Sequence, residues 1–146
     1  MVLPVSDVHK EALTRSESWY QTSQGEPRGF IETQKLEEVW FHTGTACNLA
    51  CPFCLEGSRP GDNRLQRIRL ADVVPFINEA LLLGIQQFSF TGGEPFVNKD
   101  FVRILAVALS YRPCLVLTNA TTPLIKRLHQ LEPLLKQPHS LHFRVS

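Results

Sequence analysis

A chain of 146 residues is long enough for one domain with a hydrophobic core of its own. Its composition, 43% hydrophobic and 20% charged, is that of an ordinary globular protein. The formal net charge is only +1, so charge gives no argument for nucleic acid or an anionic membrane as a partner.

The number of cysteines and the absence of long apolar runs indicate in which cellular compartment the protein is expected. No run approaches the roughly 20 apolar residues that a membrane-spanning helix needs, and residues 1–7 lack the basic leader and apolar core of a secretory signal. Four cysteines in such a chain favour a reducing environment, where thiols serve metals or redox chemistry rather than disulfides. We therefore expect a cytoplasmic protein with no membrane partner.

The first quarter of the chain carries little pattern. Residues 1–36 are polar with isolated apolar residues, and we expect an N-terminal extension packed outside a domain at 37–146. A short helix at 8–13 and a short strand at 29–31 are weak predictions, because neither stretch is strongly periodic.

From Glu38 onward, strand and helix patterns alternate. Four compact runs of β-forming residues predict strands, at 39–42, 87–91, 114–117 and 141–145. Apolar residues at helical spacing predict a first helix from Leu70 to Leu81, with Gly84 as the left-handed residue at its end. Pro75 is compatible with this helix if it lies within the first turn.

Two more helices complete the pattern. Asn98 is the predicted N-cap of the second helix, which spans 101–108. The third helix opens at Thr122, and Pro133 should kink it or end it early. Four strands joined by three crossovers predict an α/β fold with a parallel sheet, in which ligands gather beyond the carboxyl ends of the strands.

Three cysteines follow the first predicted strand. Cys47, Cys51 and Cys54 have the spacing C-x3-C-x2-C, and three thiolates so close can hold three corners of one soft metal centre. A 4Fe–4S cluster is usually held by four thiolates, so three leave one iron open for chemistry. Structural zinc needs four protein ligands, and no second C-x2-C pair exists here. A thioredoxin-like motif at Cys51 and Cys54 leaves Cys47 unexplained.

Together with Thr91-Gly92-Gly93-Glu94-Pro95, this spacing resembles the radical S-adenosylmethionine (radical SAM) enzymes over roughly the last two-thirds of the chain. The resemblance implies that the three cysteines bind three irons of a 4Fe–4S cluster and that SAM chelates the fourth. One electron then cleaves a carbon–sulfur bond of SAM, giving methionine and a 5′-deoxyadenosyl radical that abstracts a substrate hydrogen. It also implies an electron donor such as flavodoxin or ferredoxin.

The resemblance assigns roles to further residues. It implies that Phe53 lies beside the adenine, although ordinary packing is the alternative. It implies that the backbone of Gly92 and Gly93 accepts hydrogen bonds from the SAM ammonium, and that Glu94 supports the ammonium or orders the loop. Two polar residues at strand ends are candidates for the SAM ribose or carboxylate, although polar residues are common at such positions: Asn119 and Ser146.

Other residues that draw attention have simpler interpretations. Cys114 begins a strand at the opposite end from the site and is expected to be a buried free thiol. The histidines show no ligand-like grouping, and His42 is expected to be a buried or edge residue on its strand. Four arginines follow the cysteines and are expected to form a solvated basic turn rather than an anion or reductase site: Arg59, Arg64, Arg67 and Arg69.

The chain departs from the family in length. Complete members wrap about six strands into a partial barrel, whereas four are expected here, an incomplete (βα)6 partial TIM barrel. We expect the N-terminal part of a longer protein, a truncated reading frame, or a half that needs a partner. A truncated, non-catalytic cluster-binding module is therefore the second hypothesis, and a zinc-binding interaction domain is the third. The substrate is open, with a peptide or a cofactor precursor favoured by general resemblance alone.

Overall fold

The computed structural model describes residues 20–29 and 35–146. Contacts divide the chain between residues 34 and 35. In the first unit, residues 20–29 form a tight turn, in which the Thr22 N–H donates to the Glu26 carbonyl at 2.8 Å. The predicted helix at 8–13 and residues 30 and 31 of the predicted strand lie outside the described residues. The assignment of 1–36 to an extension stays a prediction.

The second unit alternates strands and helices. Its main elements, in chain order, are β1 (Glu38–His42), α1 (Leu70–Leu82), β2 (Gln87–Thr91), α2 (Phe101–Leu109), β3 (Cys114–Thr118), α3 (Thr122–Ile125), α4 (Leu128–Leu131) and β4 (Leu141–Val145). Short 3-10 helices lie at Pro95–Val97 and Glu132–Lys136. No helix within the described ranges is long and apolar enough to cross a membrane.

The four strands form one parallel sheet in the order β1-β2-β3-β4. One row of paired residues runs across it, from Val39 to Phe88, Cys114 and Leu141. The predicted α/β class with four parallel strands is thus confirmed, and because every strand runs the same way, all four carboxyl ends meet at one edge of the sheet.

The core lies where the central strands meet α1 and α2. Phe88 and Phe90 of β2 are fully buried, and the Phe101 ring of α2 packs edge-on against Phe90, with 5.4 Å between ring centroids. Phe101 also meets Phe96 edge-on at 5.0 Å. Burying each phenylalanine contributes about 1.5–3 kcal/mol, so this cluster fixes the 3-10 turn after β2 to the core.

Two details of the predicted helices are wrong. Pro75 is the sixth residue of α1, beyond the first turn, where it lacks the N–H that would bond to the Ala71 carbonyl. The helix continues because Val73 and Ile77 on its inner side are buried while Pro75 is exposed. Asn98 is not the N-cap of α2, which is Asp100.

Asn98 instead ends the preceding 3-10 turn. Its Oδ1 accepts from the Asp100 N–H at 3.0 Å, and its Nδ2 donates to the Ile68 carbonyl at 2.7 Å. The third helix is divided into α3, α4 and the 3-10 turn, with Pro133 in the first turn of that last segment. The predicted interruption at Pro133 is confirmed, but the earlier break before α4 was not predicted.

Candidate functional site

A cavity of about 360 Å³ opens where all four strands end. The loop after β1 forms one wall, the loop after β2 a second, and residues at the ends of β3 and β4 complete it. Eight of the nine residues that the sequence singled out line it: Cys47, Cys51, Phe53, Cys54, Gly92, Gly93, Asn119 and Ser146. The ninth, Glu94, lies behind the wall.

The three cysteines are free thiols, each partly buried. The Cys54 N–H donates to the Cys51 carbonyl at 3.1 Å, which folds this part of the loop into a turn. Among the described residues, no three His, Cys, Asp or Glu side chains form a group that could hold a metal ion. The three thiols share one cavity.

The glycine loop packs directly on the cysteine loop. The Gly93 N–H donates to the Gly44 carbonyl at 2.9 Å, and the Glu94 N–H donates to the Ala46 carbonyl at 3.0 Å. A Cβ on Gly93 would lie 2.4 Å from the Ala46 carbonyl oxygen, and one on Gly92 would lie 2.7 Å from the Gly44 carbonyl oxygen. The two loops approach so closely that neither position has room for a side chain. The need for glycine at both positions thus has a cause within the protein itself.

Glu94 joins the glycine loop to the end of β3. Its side chain is buried, and its carboxylate accepts from the Thr118 hydroxyl at 2.9 Å, the Asn119 N–H at 2.8 Å and the Phe96 N–H at 3.1 Å. These contacts order the loop, which was one of its two expected roles. Contact with the SAM ammonium stays a prediction.

Asn119 belongs to a ring of three polar side chains beside Cys47. Its Nδ2 donates to Asn48 Oδ1 at 3.0 Å, Asn48 Nδ2 donates to Thr121 Oγ1 at 2.9 Å, and the Thr121 hydroxyl donates to Asn119 Oδ1 at 2.6 Å. Asn119 Nδ2 also lies 3.8 Å from Cys47 Sγ, which accepts the Leu49 N–H at 3.4 Å. The Cys47 sulfur therefore faces two N–H donors.

Phe53 and Ser146 lie at the margin of the cavity. Phe53 is 79% exposed, so its ring is not packed in the core as the simpler interpretation held. The Ser146 N–H donates to the Thr118 carbonyl at 3.2 Å, which continues the pairing of β4 with β3 by one residue.

Two polar pairs that sequence reasoning did not find hold the cysteine loop. His42 Nδ1 accepts the Gly44 N–H at 3.2 Å, so Nε2 carries the proton and donates to Glu56 at 2.7 Å. This pair joins the end of β1 to the residues just after Cys54. Nothing in the spacing of His42 and Glu56 indicates their contact.

Asp62 holds the far end of the same loop. Its carboxylate accepts the Thr45 hydroxyl at 2.9 Å and forms an ion pair with Arg64 at 2.6 Å. The side chain and the backbone N–H of Arg64 hold the pKa of the Asp62 carboxyl well below its usual range. Arg69 likewise pairs with Asp72 at 2.7 Å. Two of the four arginines therefore have structural partners.

The protein is an α/β protein with a parallel sheet and a thiol-lined cavity at the carboxyl edge, which is where α/β proteins bind ligands and cofactors. Residues 41–143 match the family model described as the Radical SAM superfamily. The chain belongs to the radical SAM superfamily, a family of enzymes that use SAM and a 4Fe–4S cluster.

Curated relatives are GTP 3′,8-cyclases. The enzyme of Stenotrophomonas maltophilia (strain K279a) is 29% identical over 79 residues, which cover 52% of this chain and 24% of that protein. The probable GTP 3′,8-cyclase of Methanopyrus kandleri is 31% identical over 87 residues, which cover 59% of this chain and 27% of that protein. The chain thus spans about a quarter of the length of these relatives.

Among solved structures, the chain is similar to Streptococcus suis SuiB. The SuiB structure with S-adenosylmethionine has a TM-score of 0.62 and 21% identity, over 76% of this chain and 25% of that one. SuiB bound to the precursor peptide SuiA has a TM-score of 0.61 and 20% identity, over 76% of this chain and 24% of that one. At this identity the likeness shows a shared fold.

Proposed function

We propose that this chain binds a 4Fe–4S cluster through Cys47, Cys51 and Cys54, binds SAM in the adjoining cavity, and forms the corresponding part of a radical SAM enzyme. The observation that carries the proposal is that the three thiols and both glycines line one cavity at the carboxyl edge of the sheet. The cavity volume of about 360 Å³ is within the range of small-molecule and cofactor sites.

Three cysteine thiols fit a 4Fe–4S cluster better than a structural zinc, which takes four protein ligands. Each thiolate of a 4Fe–4S cluster binds its own iron, so the sulfurs need not converge on one point, as a tetrahedral zinc would require. Cys114, fully buried at the start of β3, is at the opposite end of that strand from the cavity, so three thiolates remain for the cluster. When bound, the cluster and SAM supply one-electron cleavage of a SAM carbon–sulfur bond, giving methionine and a 5′-deoxyadenosyl radical for hydrogen abstraction.

Residues of the chain hold and shield these groups. The backbone N–H of Leu49 and the side-chain amide of Asn119 hold the Cys47 sulfur in place. The exposed Phe53 ring is available to stack on the adenine, and Asn119 and Ser146 line the cavity where they would meet the ribose or carboxylate. The close packing of Gly93 on Ala46 fixes the distance between the two walls.

The partners follow from this chemistry. An electron donor such as flavodoxin or ferredoxin reduces the cluster, and the substrate is a peptide or a cofactor precursor. The SuiB structure with a precursor peptide supports a peptide substrate, and the curated relatives are named for cyclising GTP. Four free cysteines support a reducing compartment, the cytoplasm.

A second candidate is a cluster-binding module without turnover. It is favoured by one observation: the chain spans about a quarter of the length of its relatives. In that case the cluster and SAM bind, but no SAM is cleaved.

Anaerobic reconstitution with iron and sulfide tests the proposal. We expect a brown protein with about four irons per chain, and a loss of iron after Cys→Ala substitution at position 47, 51 or 54. Cys114→Ala is the matched control and should keep its iron, because this thiol lies outside the cavity. A chain that takes up one zinc and no iron or sulfide refutes the cluster assignment.

Adding dithionite and SAM to the reconstituted chain then separates the two candidates. Formation of 5′-deoxyadenosine supports the enzyme. Full iron content and SAM binding without 5′-deoxyadenosine support the module without turnover.

A further inference from the structure

Ser58 is an unpaired hydroxyl in the wall of the cavity. Within residues 20–29 and 35–146, its Oγ is the one buried side-chain oxygen or nitrogen that has no hydrogen-bond partner. The residue is 4% exposed, yet it lines the cavity with the three cysteines. Buried hydroxyl groups in folded proteins nearly always find a partner, so an orphan here points to a group that binds in the cavity.

The backbone on both sides of Ser58 is tied to the cysteine loop. The Gly57 N–H donates to the Cys54 carbonyl at 3.0 Å, and the Arg59 carbonyl accepts the Cys47 N–H at 3.4 Å. Ala46 and Arg59 form a β bridge at the same place. The neighbours of Ser58 are therefore fixed to the loop that carries the three thiols.

We propose that the Ser58 hydroxyl donates a hydrogen bond to a sulfur atom of the 4Fe–4S cluster and raises the reduction potential of that cluster. This inference rests on the proposed cluster binding by the cysteines. A cluster sulfur becomes more negative when an electron is added, so a donor aimed at it stabilises the reduced form more than the oxidised form. The backbone bonds of its neighbours Gly57 and Arg59 to Cys54 and Cys47 favour sulfur over SAM as the acceptor.

The test is a redox titration of the reconstituted full chain, followed by the EPR signal of the reduced cluster. Ser58→Ala removes the donor, and we expect about a threefold lower ratio of reduced to oxidised cluster at a fixed potential. Ser58→Thr keeps a hydroxyl and should retain the wild-type midpoint potential. Ser110→Ala is the matched control, because the Ser110 hydroxyl donates to the Val107 carbonyl at 2.7 Å on an exposed turn.

Iron content and SAM affinity distinguish the possible failures. If the wild-type chain takes up no cluster, the proposed function fails, and this inference fails with it. If Ser58→Ala holds about four irons at the wild-type potential, only the inference fails. If its SAM dissociation constant rises while the potential stays the same, the hydroxyl serves SAM and the inference is wrong.

Should Ser58→Ala not retain its cluster, Ser58→Thr decides the question. The inference requires that this variant keep both the cluster and the wild-type potential. A threonine variant that holds the cluster at a lowered potential would contradict it.

Discussion

Gly93→Ala should separate the two walls of the cavity. A Cβ at position 93 would lie 2.4 Å from the Ala46 carbonyl oxygen and 2.6 Å from that of Thr45, whereas ordinary contacts begin at 3.4 Å. To relieve this steric overlap, the cysteine loop and the glycine loop must move apart by about 1 Å. The bonds from Gly93 N to Gly44 O and from Glu94 N to Ala46 O, now 2.9 and 3.0 Å, would then exceed hydrogen-bond length.

The cost follows from these contacts. The loss of two backbone hydrogen bonds destabilises the folded state by about 2 kcal/mol. Forcing an extra carbon into packed backbone destabilises it by about 1–3 kcal/mol more. We therefore expect Gly93→Ala to lower the free energy of unfolding by about 3–5 kcal/mol. Urea unfolding followed by circular dichroism measures this change, and the iron bound after reconstitution reports whether the walls still meet.

Gly84→Ala provides the matched control. Gly84 has a φ of +78°, but a Cβ there meets nothing within 4 Å. The left-handed backbone alone costs about 1–2 kcal/mol, and the cavity is unaffected. The reasoning is refuted if Gly93→Ala is no more destabilising than Gly84→Ala, or if it binds the full complement of iron.

Four further outcomes are expected. Glu94→Gln should lower the free energy of unfolding, measured in urea, by about 2 kcal/mol, because one amide oxygen replaces a carboxylate that accepts from three donors. An unchanged free energy of unfolding would show that these bonds contribute little. Arg64 holds the pKa of Asp62 below its ordinary 3.8. The stability that this carboxylate contributes is therefore complete above about pH 4 and is lost as the pH falls through the native pKa. Asp62→Asn should accordingly make the free energy of unfolding less dependent on pH in acid. Burial raises the pKa of Cys114 from 9.0 to about 12, so the stability of the native chain should fall between these pH values, and Cys114→Ala should remove that slope. Iodoacetamide should label the other three cysteines in the native chain and Cys114 only in urea; native labelling of Cys114 would contradict its burial.

Local sequence predicts much of the sheet. The bounds of β2 and β4 agree with prediction because each is a run of β-forming residues between turn formers. Gly84 follows α1 with a φ of +78°, as its position past the last apolar residue indicates. These features depend on residues close in the chain.

The errors in the predicted helix boundaries occur where contacts between residues distant in the chain determine where a helix begins or ends. Asn98 has a good capping side chain, but its Oδ1 accepts the Asp100 N–H and its Nδ2 donates to the Ile68 carbonyl. It therefore ends the 3-10 turn, and Asp100 takes the N-cap position of α2 without a capping bond from its side chain. Before α4, the Arg127 guanidinium donates to the Asn98 carbonyl at 3.0 Å, and the helix pattern breaks there. Leucine periodicity cannot reveal either contact.

The candidate site divides in the same way. Its motif residues line one cavity, as expected of loops that follow neighbouring parallel strands. The ring of Asn48, Asn119 and Thr121 joins residues up to 73 positions apart, and Ser58 is noticed only through its burial without a partner. Such roles depend on how loops meet, which no local pattern encodes.

The contact between the cysteine and glycine loops is made by main-chain atoms, with Gly93 bonded to Gly44 and Glu94 to Ala46. Main-chain recognition is indifferent to the identity of neighbouring side chains. Substitutions of cavity-lining side chains such as Leu49 and Leu55 therefore leave the bonds between the two loops in place. The side chains that line the cavity can thus change without altering the contact between the cysteine loop and the glycine loop.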